Sequence, residues 1–322
     1  MKAIVVREFG EAEVMREENV ETPVPTGTQV LVRVAAVGVN PVETYIRSGK
    51  YPNVPQLPYT PGKDAAGIVE SVGDAVTGWK SGDRVYTANS ITGTYAEFTL
   101  CEEADLGRLP VNVSFDQGAG IWTPYATAYR ALFQKAAAKS GETVLIHGTS
   151  GGVGLAAIQW AKNAGLTVIG TASSDDGKKL AKEAGADHVL DHTDETHFGQ
   201  IKEITGGRGV EVIIEMLANV NLERDFEALA MFGRIVVVGN RGSLDFNPRV
   251  TMGKDAVIYG MALFNASRTD FDEIHAAIFK GLEAGYLSPT IRKTIPLEDA
   301  PAAHREVIDS KASGKLVLTT GG

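Results

Sequence analysis

The run from Val144 to Gly154, V-L-I-H-G-T-S-G-G-V-G, has the residue types and spacing with the most definite chemistry in the chain. An apolar stretch enters a glycine cluster, and Leu155 to Ala164 then reads as an amphipathic helix ending at Gly165. Strand, glycine turn and helix in that order are what a dinucleotide site requires. Glycines let the backbone turn sharply and approach a diphosphate, while the free N–H groups and the positive dipole end of the helix face its charge. The pattern departs from G-x-G-x-x-G at one place: Thr149 stands where the first glycine is expected, with Gly148 and Gly152 nearby. Glycines also mark ordinary tight turns, so it is the strand before and the helix after that favour the cofactor reading.

Which nucleotide fits depends on the next strand. An NAD-binding unit places an acid about 20 residues beyond the glycines to accept bonds from the ribose hydroxyls. Here the second strand ends Gly170-Thr171-Ala172-Ser173-Ser174, with no acid at its tip and with Lys178 and Lys179 close behind. Small hydroxyls leave room for a 2′-phosphate. Asp175 and Asp176 argue the other way, unless they open the following helix, where acids favour the dipole. The lysines equally suit a solvated helix face.

Other chemistries find little support. Of the six histidines only His188 and His192 have H-x-x-x-H spacing, in a stretch that reads as a strand and its end rather than a helix, and one cysteine, Cys101, cannot build a thiolate zinc site. Gly148-Thr149-Ser150-Gly151-Gly152 does match G-x-S-x-G as a string, but it is the same turn whose further glycine, Gly154, suits a dinucleotide, and no P-loop Lys-Ser/Thr follows the glycines. Metal-assisted chemistry is therefore not expected, and the cofactor reading of the turn is preferred to an acyl-enzyme one. Hydride transfer remains, in which the cofactor carries the chemistry and the protein positions it.

These residues need elements to hold them. The 322 residues exceed the usual range of a single core, which points to two domains. The first third reads as β-rich, with strands expected at Ala3–Val6, Gln29–Ala36, Ala65–Val72, Arg84–Ala88 and Tyr95–Leu100. Prolines 23, 25, 52, 55, 58 and 61 keep the intervening segments extended. From about Ser140, strands alternate with helices: Thr143–His147, Thr167–Thr171, His188–Leu190, Val210–Glu215, Arg234–Val238 and Ala256–Met261. Such alternation implies a parallel, doubly wound sheet, because parallel neighbours need a crossover. The tail reads as a helix (Asp270–Ala284), a strand (Thr290–Ile295), a helix (Asp299–Ser310) and a closing strand (Lys315–Thr319), and is expected to return to the first domain.

Composition bounds partners and compartment. No apolar run approaches the roughly 20 residues of a membrane span. The opening Met1–Val6 is short and followed by Arg7, Glu8 and Glu11, unlike a signal or transit peptide. A single cysteine excludes internal disulfides and suits a reducing cytoplasm. The net charge of −9 disfavours broad contact with nucleic acid or anionic lipid.

From Met1 to about Thr319 the chain resembles a medium-chain dehydrogenase/reductase of the zinc-free quinone oxidoreductase branch, zeta-crystallin-like. The resemblance rests on GVNPVETYIRSG (Gly38–Gly49), PYTPGKDAAGIV (Pro58–Val69), KSGDRV (Lys80–Val85), PYATAYRAL (Pro124–Leu132), HGTSGGVGLAA (His147–Ala157), IIEMLANVNL (Ile213–Leu222), GRIVVVGNRG (Gly233–Gly242) and GKLVL (Gly314–Leu318). It implies an α/β chain with a GroES-like β-barrel catalytic domain (1–120 and 263–322) and a Rossmann NADPH-binding domain (121–262). Zinc-dependent relatives carry a metal-binding Cys where this chain has Asn40, and a His where it has Lys63.

By the same resemblance, Ser150, Gly151, Gly152 and Val153 hold the diphosphate. Asn40 and Tyr45 lie beside the nicotinamide, and Thr127 lies near its ribose. Ser173, Lys178 and His192 read the 2′-phosphate, and Asn221, Val238, Gly239, Asn240, Arg241, Met261, Ala262 and Leu263 line the cofactor's path. Plainer roles fit several of these: Asn40-Pro41 can open a turn, Tyr45 can be a core aromatic, Arg241 can face solvent, and His192 can be a loop residue. The implied activity is NADPH-dependent reduction of a small quinone without metal, by a cytoplasmic homo-oligomer (dimer or tetramer). Alternatives are reduction of an alkenal or enone double bond, which needs proton delivery to carbon, and a structural or AU-rich RNA-binding role, which the net charge disfavours.

Overall fold

The computed structural model describes residues 1–309 and 313–321. The chain divides into two units, Met1–Thr123 with Phe279–Gly322, and Pro124–Ile278. The second unit closes later than the expected residue 262. The reason lies in the helix Arg268–Ala284, whose first half is tied to the second unit: Asp270 pairs with Arg130 at 3.1 Å, and Glu273 accepts from the Tyr129 hydroxyl at 2.8 Å.

In chain order the first unit supplies β1 (Lys2–Val6), β2 (Met15–Asn19), β3 (Gln29–Gly38), α1 (Pro41–Arg47), β4 (Ala65–Val72), β5 (Arg84–Thr87), β6 (Phe98–Glu102), β7 (Leu106–Arg108) and α2 (Phe115–Ala119). The second unit then adds α3 (Thr127–Tyr129), β8 (Thr143–Ile146), α4 (Gly152–Asn163), β9 (Thr167–Thr171), α5 (Asp175–Glu183), β10 (His188–Leu190), α6 (His197–Ile204), β11 (Val210–Glu215), α7 (Ala218–Ala228), β12 (Leu229–Val237), α8 (Arg249–Met252) and β13 (Val257–Gly260). The helix Arg268–Ala284 is α9, followed by β14 (Ile291–Pro296), α10 (Ala300–Asp309) and β15 (Lys315–Thr319). Ser310, the expected end of the last helix, lies outside the described residues.

The first unit is organised around β3. Its sequence, QVLVRVAAVG, is nearly continuous in apolar residues, as burial on both faces requires, and β4, β6 and β15 all pair with it. The seven-stranded sheet runs β14-β15-β3-β4-β5-β7 with β6 on β3, and β1 pairs with β2 separately. The antiparallel pairing of β15 with β3 (Val317 opposite Gly38) is the expected return of the tail. Ile4, Val34, Val37, Val39, Ile295, Leu316 and Leu318 form one core here, so the two ends of the chain share their buried surface. α1 is a seven-residue helix in the proline-rich region. It starts at Pro41, where fixed φ and a missing N–H are both tolerated.

In the second unit six parallel strands run in the order β10-β9-β8-β11-β12-β13. The chain builds outward from β8 through β9 and β10, then returns to β11 on the other side, so the topological switch lies between the carboxyl ends of β8 and β11. Ligands bind at such switch points in doubly wound sheets. Val144, Leu145 and Ile146 are fully buried, as a strand covered on both faces requires. β12 begins at Leu229 rather than Arg234, and its register against β11 shifts between Val210 and Val212. Exposed Phe232, with φ +60°, marks that irregularity. The short strands β2 and β7 have too few alternating residues to stand out from the sequence.

Candidate functional site

At the switch point, β8 ends and the chain turns through His147-Gly148-Thr149-Ser150-Gly151 into α4. Gly148 takes the left-handed conformation, φ +61°. Thr149 is then turned inward: its N–H and hydroxyl both donate to the Thr171 carbonyl, at 2.9 and 2.8 Å. This accounts for the imperfect glycine pattern. The backbone freedom is taken up one residue early, and the threonine side chain ties the turn to β9. Gly154 has the close-packing role, since a Cβ there would lie 2.5 Å from the Gly148 carbonyl oxygen. Gly151, the N-cap of α4, is different. Its backbone is extended (φ −80°, ψ 167°), and a Cβ would meet only the Gly148 oxygen, at 3.6 Å. Ser150, Gly151, Gly152 and Val153 are partly exposed, so the open end of α4 is accessible at a tip that the protein itself leaves unfilled. These residues fit a diphosphate.

The neighbouring strand ends carry the other expected contacts. Ser174 caps α5 by accepting from the Gly177 N–H at 3.1 Å. Asp175 and Asp176 are the first residues of that helix and are exposed, the position in which acids favour the dipole. Ser173 is partly buried beside them, and His192 is exposed just beyond β10. Lys178 reaches Asp191 at 2.7 Å. Asp191 is also held by the Thr193 N–H and hydroxyl, and with Lys178 these keep its carboxyl well below the usual range. Asp191 thus links Lys178 to the strand end that bears His192. The only signal for it in the sequence was an acid one position before that histidine.

Beyond β11 and β12, two segments are stitched together. The Val238 N–H donates to the Glu215 carbonyl at 2.8 Å. The Asn219 N–H donates to the Asn240 side chain at 3.0 Å, and the Arg241 N–H to the Asn219 side chain at 2.9 Å. Gly239 has to be glycine, because a Cβ would lie 2.2 Å from the Met216 oxygen. Asn221 donates its amide to Glu215 at 3.2 Å. The Met261 N–H donates to the Val237 carbonyl at 3.1 Å, and partly exposed Ala262 and Leu263 follow it. Arg241 is exposed. Thr127 is buried on α3, which packs against α4. Asn219 and Glu215 lie within the IIEMLANVNL motif, but the sequence reading gave neither a role because their bonds to Asn240, Arg241 and Asn221 form only in the fold.

In the first unit, Asn40 and Tyr45 share α1. Tyr45 is partly exposed on that helix. Asn40 is buried, and its carboxamide is engaged on every side. Nδ2 donates to Asp64 at 3.0 Å and to Glu43 at 3.3 Å, while Oδ1 accepts from the Lys315 ammonium at 2.5 Å. Lys315 is itself buried, 3.6 Å from Asp64. Asp64 accepts further bonds from the Thr123 hydroxyl (2.7 Å) and N–H (3.2 Å). On the far side Glu43 accepts from the Tyr95 hydroxyl at 2.7 Å, and that hydroxyl lies 3.0 Å from His304 Nε2. Burial pushes the Glu43 carboxyl up to about 7, against the Asn40 N–H and the Tyr95 hydroxyl that bond its charged form. Burial likewise pulls His304 down to about 3 and lowers Lys315. Lys63 is exposed. An amide, an ammonium and an exposed lysine are not a zinc donor set.

The fold does bring three possible ligands together elsewhere. His147, Glu215 and Asp225 cluster in the buried interior of the second unit, far apart in sequence and so invisible to a search for spaced ligands.

Two family descriptions match the chain: the alcohol dehydrogenase GroES-like domain over residues 26–136, and the zinc-binding dehydrogenase over residues 152–280. Quinone oxidoreductase from Homo sapiens is 47% identical over 320 residues, covering 99% of this chain and 97% of the relative. The corresponding protein from Rattus norvegicus is 49% identical over the same span. Among solved structures, Escherichia coli quinone oxidoreductase complexed with NADPH superposes with a TM-score of 0.90 at 31% identity, covering 99% of this chain and 100% of that one.

Proposed function

The chain belongs to the medium-chain dehydrogenase/reductase family, in its quinone oxidoreductase branch, and from that premise we propose how its residues carry the activity. It is an NADPH-dependent quinone reductase. The observation that carries the assignment of residues is the glycine turn at the β8/β11 switch point, with room for a Cβ at Gly151 and a partly exposed α4 N-terminus.

Bound at this turn, NADPH would supply the reducing equivalents. Ser150, Gly151, Gly152 and Val153 bind its diphosphate through backbone N–H groups and the α4 dipole. Lys178, His192 and Ser173 receive the 2′-phosphate, and Asp191 holds the lysine in place for it. Asn221, Val238–Arg241 and Met261–Leu263 line the rest of the nucleotide's path, and Thr127 meets the nicotinamide ribose. Tyr45 is the first-unit residue that meets the nicotinamide. Asn40 orients the helix carrying Tyr45 through its bonds to Asp64, Glu43 and Lys315. A quinone oxygen tolerates negative charge after reduction, so no strong acid has to reach it.

The same reading makes the reaction independent of zinc, on the donor chemistry of Asn40 and Lys63. It includes a homo-oligomer: β13 is an edge strand, and Met231, Phe232, Met252 and Val257 are exposed on or near it. A cytoplasmic location suits the single cysteine. Among the described residues, no helix is long and apolar enough to cross a membrane.

Oxidation of NADPH and of NADH against a panel of quinones and enones tests the reading. Quinone-dependent turnover with NADPH preferred supports it. Enone reduction without quinone reduction, or a preference for NADH, overturns it.

A further inference from the structure

Three buried side chains of the second unit have no part in the assignments above. His147 follows β8, Glu215 ends β11 and Asp225 lies in α7, and their polar atoms fall within 4.8 Å of one another. His147 Nε2 is 2.8 Å from Asp225 Oδ1 and 3.5 Å from Glu215 Oε2. Its Nδ1 is 3.4 Å from the Thr171 hydroxyl, which in turn accepts from the Gly148 N–H at 3.3 Å. At the other end, Glu215 Oε1 accepts from the Leu217 N–H and from the Asn221 amide. The cluster is therefore continuous with the glycine turn on one side and with the Asn221 segment on the other.

The remaining oxygens, Glu215 Oε2 and Asp225 Oδ2, are buried without a hydrogen-bond partner. Burial lowers the affinity of His147 for a second proton, so the imidazole is neutral. Two facing carboxylates in a dry interior cannot both be ionised unless a cation lies between them. A divalent cation would suit the same three donors. However, the 2.8 Å contact from His147 to Asp225 is a direct hydrogen bond, and a ring nitrogen that donates cannot also coordinate.

We infer that His147, Asp225 and Glu215 hold one shared proton between the two carboxyls, and that this protonated cluster positions the diphosphate turn and Asn221 for NADPH. The inference rests on the diphosphate lying at that turn. Loss of the proton to solvent leaves two buried charges repelling each other. The end of β11 and α7 then separate, and Gly148 and Asn221 lose their common support. Glu215 and Asp225 are each pushed up to about 7 by burial, which places the transition near neutrality. The charged and titratable groups packed nearby are exposed His192 beyond β10, buried His197 of α6, and Arg224 of α7, whose guanidinium stacks on Phe198. Partial burial lowers the proton affinity of His192, and the test separates that histidine from the cluster.

Glu215→Gln makes that separation, because its amide supplies a permanent neutral donor toward Asp225 while its carbonyl still accepts from Leu217 and Asn221. At saturating quinone, the parent's KM for NADPH should rise about tenfold from pH 6 to pH 8.5, with a smaller change in kcat. Glu215→Gln should hold the low-pH KM throughout. Thermal unfolding gives a second readout. Both carboxyls have folded pKa values above their unfolded ones, so their contribution is complete below the unfolded values and is lost as pH rises through about 7. The parent's melting temperature should fall across that range, and that of Glu215→Gln should fall less. If Glu215→Gln does not fold, Asp225→Asn makes the same substitution from the other side. Equal KM slopes in parent and variant overturn the inference, as does a flat melting profile in the parent. A stoichiometric divalent metal whose removal weakens NADPH binding also overturns it. Gly151→Val distinguishes the underlying assignment: unchanged NADPH affinity there refutes the turn as the diphosphate site, whereas weakened affinity with equal KM slopes refutes only the shared proton.

Discussion

Replacing Lys315 by Met removes the only buried ammonium among the described residues around Asn40, and its cost follows from what is left behind. Asp64 would lose a cation 3.6 Å away, and Asn40 Oδ1 would lose its donor. Breaking a buried pair from one side costs about 3–5 kcal/mol, because the surviving charge is stranded. Asp64 keeps three donors, from the Thr123 hydroxyl, the Thr123 N–H and Asn40 Nδ2, which puts the loss at the lower end, about 3 kcal/mol. Against a typical total of about 5–15 kcal/mol the variant still folds. The loss also depends on pH. Glu43 has a folded pKa of about 7, above its unfolded value, so its contribution is present below that unfolded value and is lost as pH rises through 7. The Lys315 charge is one of the influences holding Glu43 down. Without it the folded pKa climbs further, and the gap between variant and parent should widen from about pH 6 to about pH 8. Urea unfolding of the parent, Lys315→Met, Asp64→Asn and the double variant measures this. A coupling energy of about 2 kcal/mol is expected for residues in one network. A single-variant loss under about 1 kcal/mol, or coupling under about 0.5 kcal/mol, would refute the view of Lys315 as the cation that organises Asn40.

Three further outcomes are expected. Lys178→Ala should weaken NADPH binding about tenfold and leave NADH binding nearly unchanged, since a charge-assisted bond to the 2′-phosphate is lost; equal losses in fluorescence titrations with the two nucleotides would remove Lys178 from that role. Gly151→Val should fold, because its extended backbone suits any residue and a Cβ meets only the Gly148 oxygen at 3.6 Å, yet it should bind NADPH at least about tenfold more weakly. Isothermal titration alongside a melting curve separates the two effects, and unchanged affinity would return the glycines to a purely structural turn. Exhaustive chelation should leave quinone reduction intact; stoichiometric zinc in elemental analysis, with activity lost on its removal, would contradict that.

Local pattern by itself determined a good deal of this protein. β4, β9, β10, β11 and β15 have the boundaries their sequences predict, because period and β-branched content are local properties and each is bounded by turn residues. The glycine turn was legible for the same reason: strand, turn and helix are contiguous, and their chemistry depends on backbone freedom at neighbouring positions. What the fold alone decided are the partnerships between distant residues. That Gly148 rather than Thr149 takes the left-handed conformation follows from Thr149 bonding to Thr171 on the adjacent strand. Lys178 looked like a free cation until β10 placed Asp191 beside it. Asn40 meets Lys315 only because β15 returns to pair with β3, and His147 meets Glu215 and Asp225 only where β8, β11 and α7 converge. Buried polar groups must find partners wherever the chain brings them, and a linear pattern has no term for a contact that exists only after the sheets have formed.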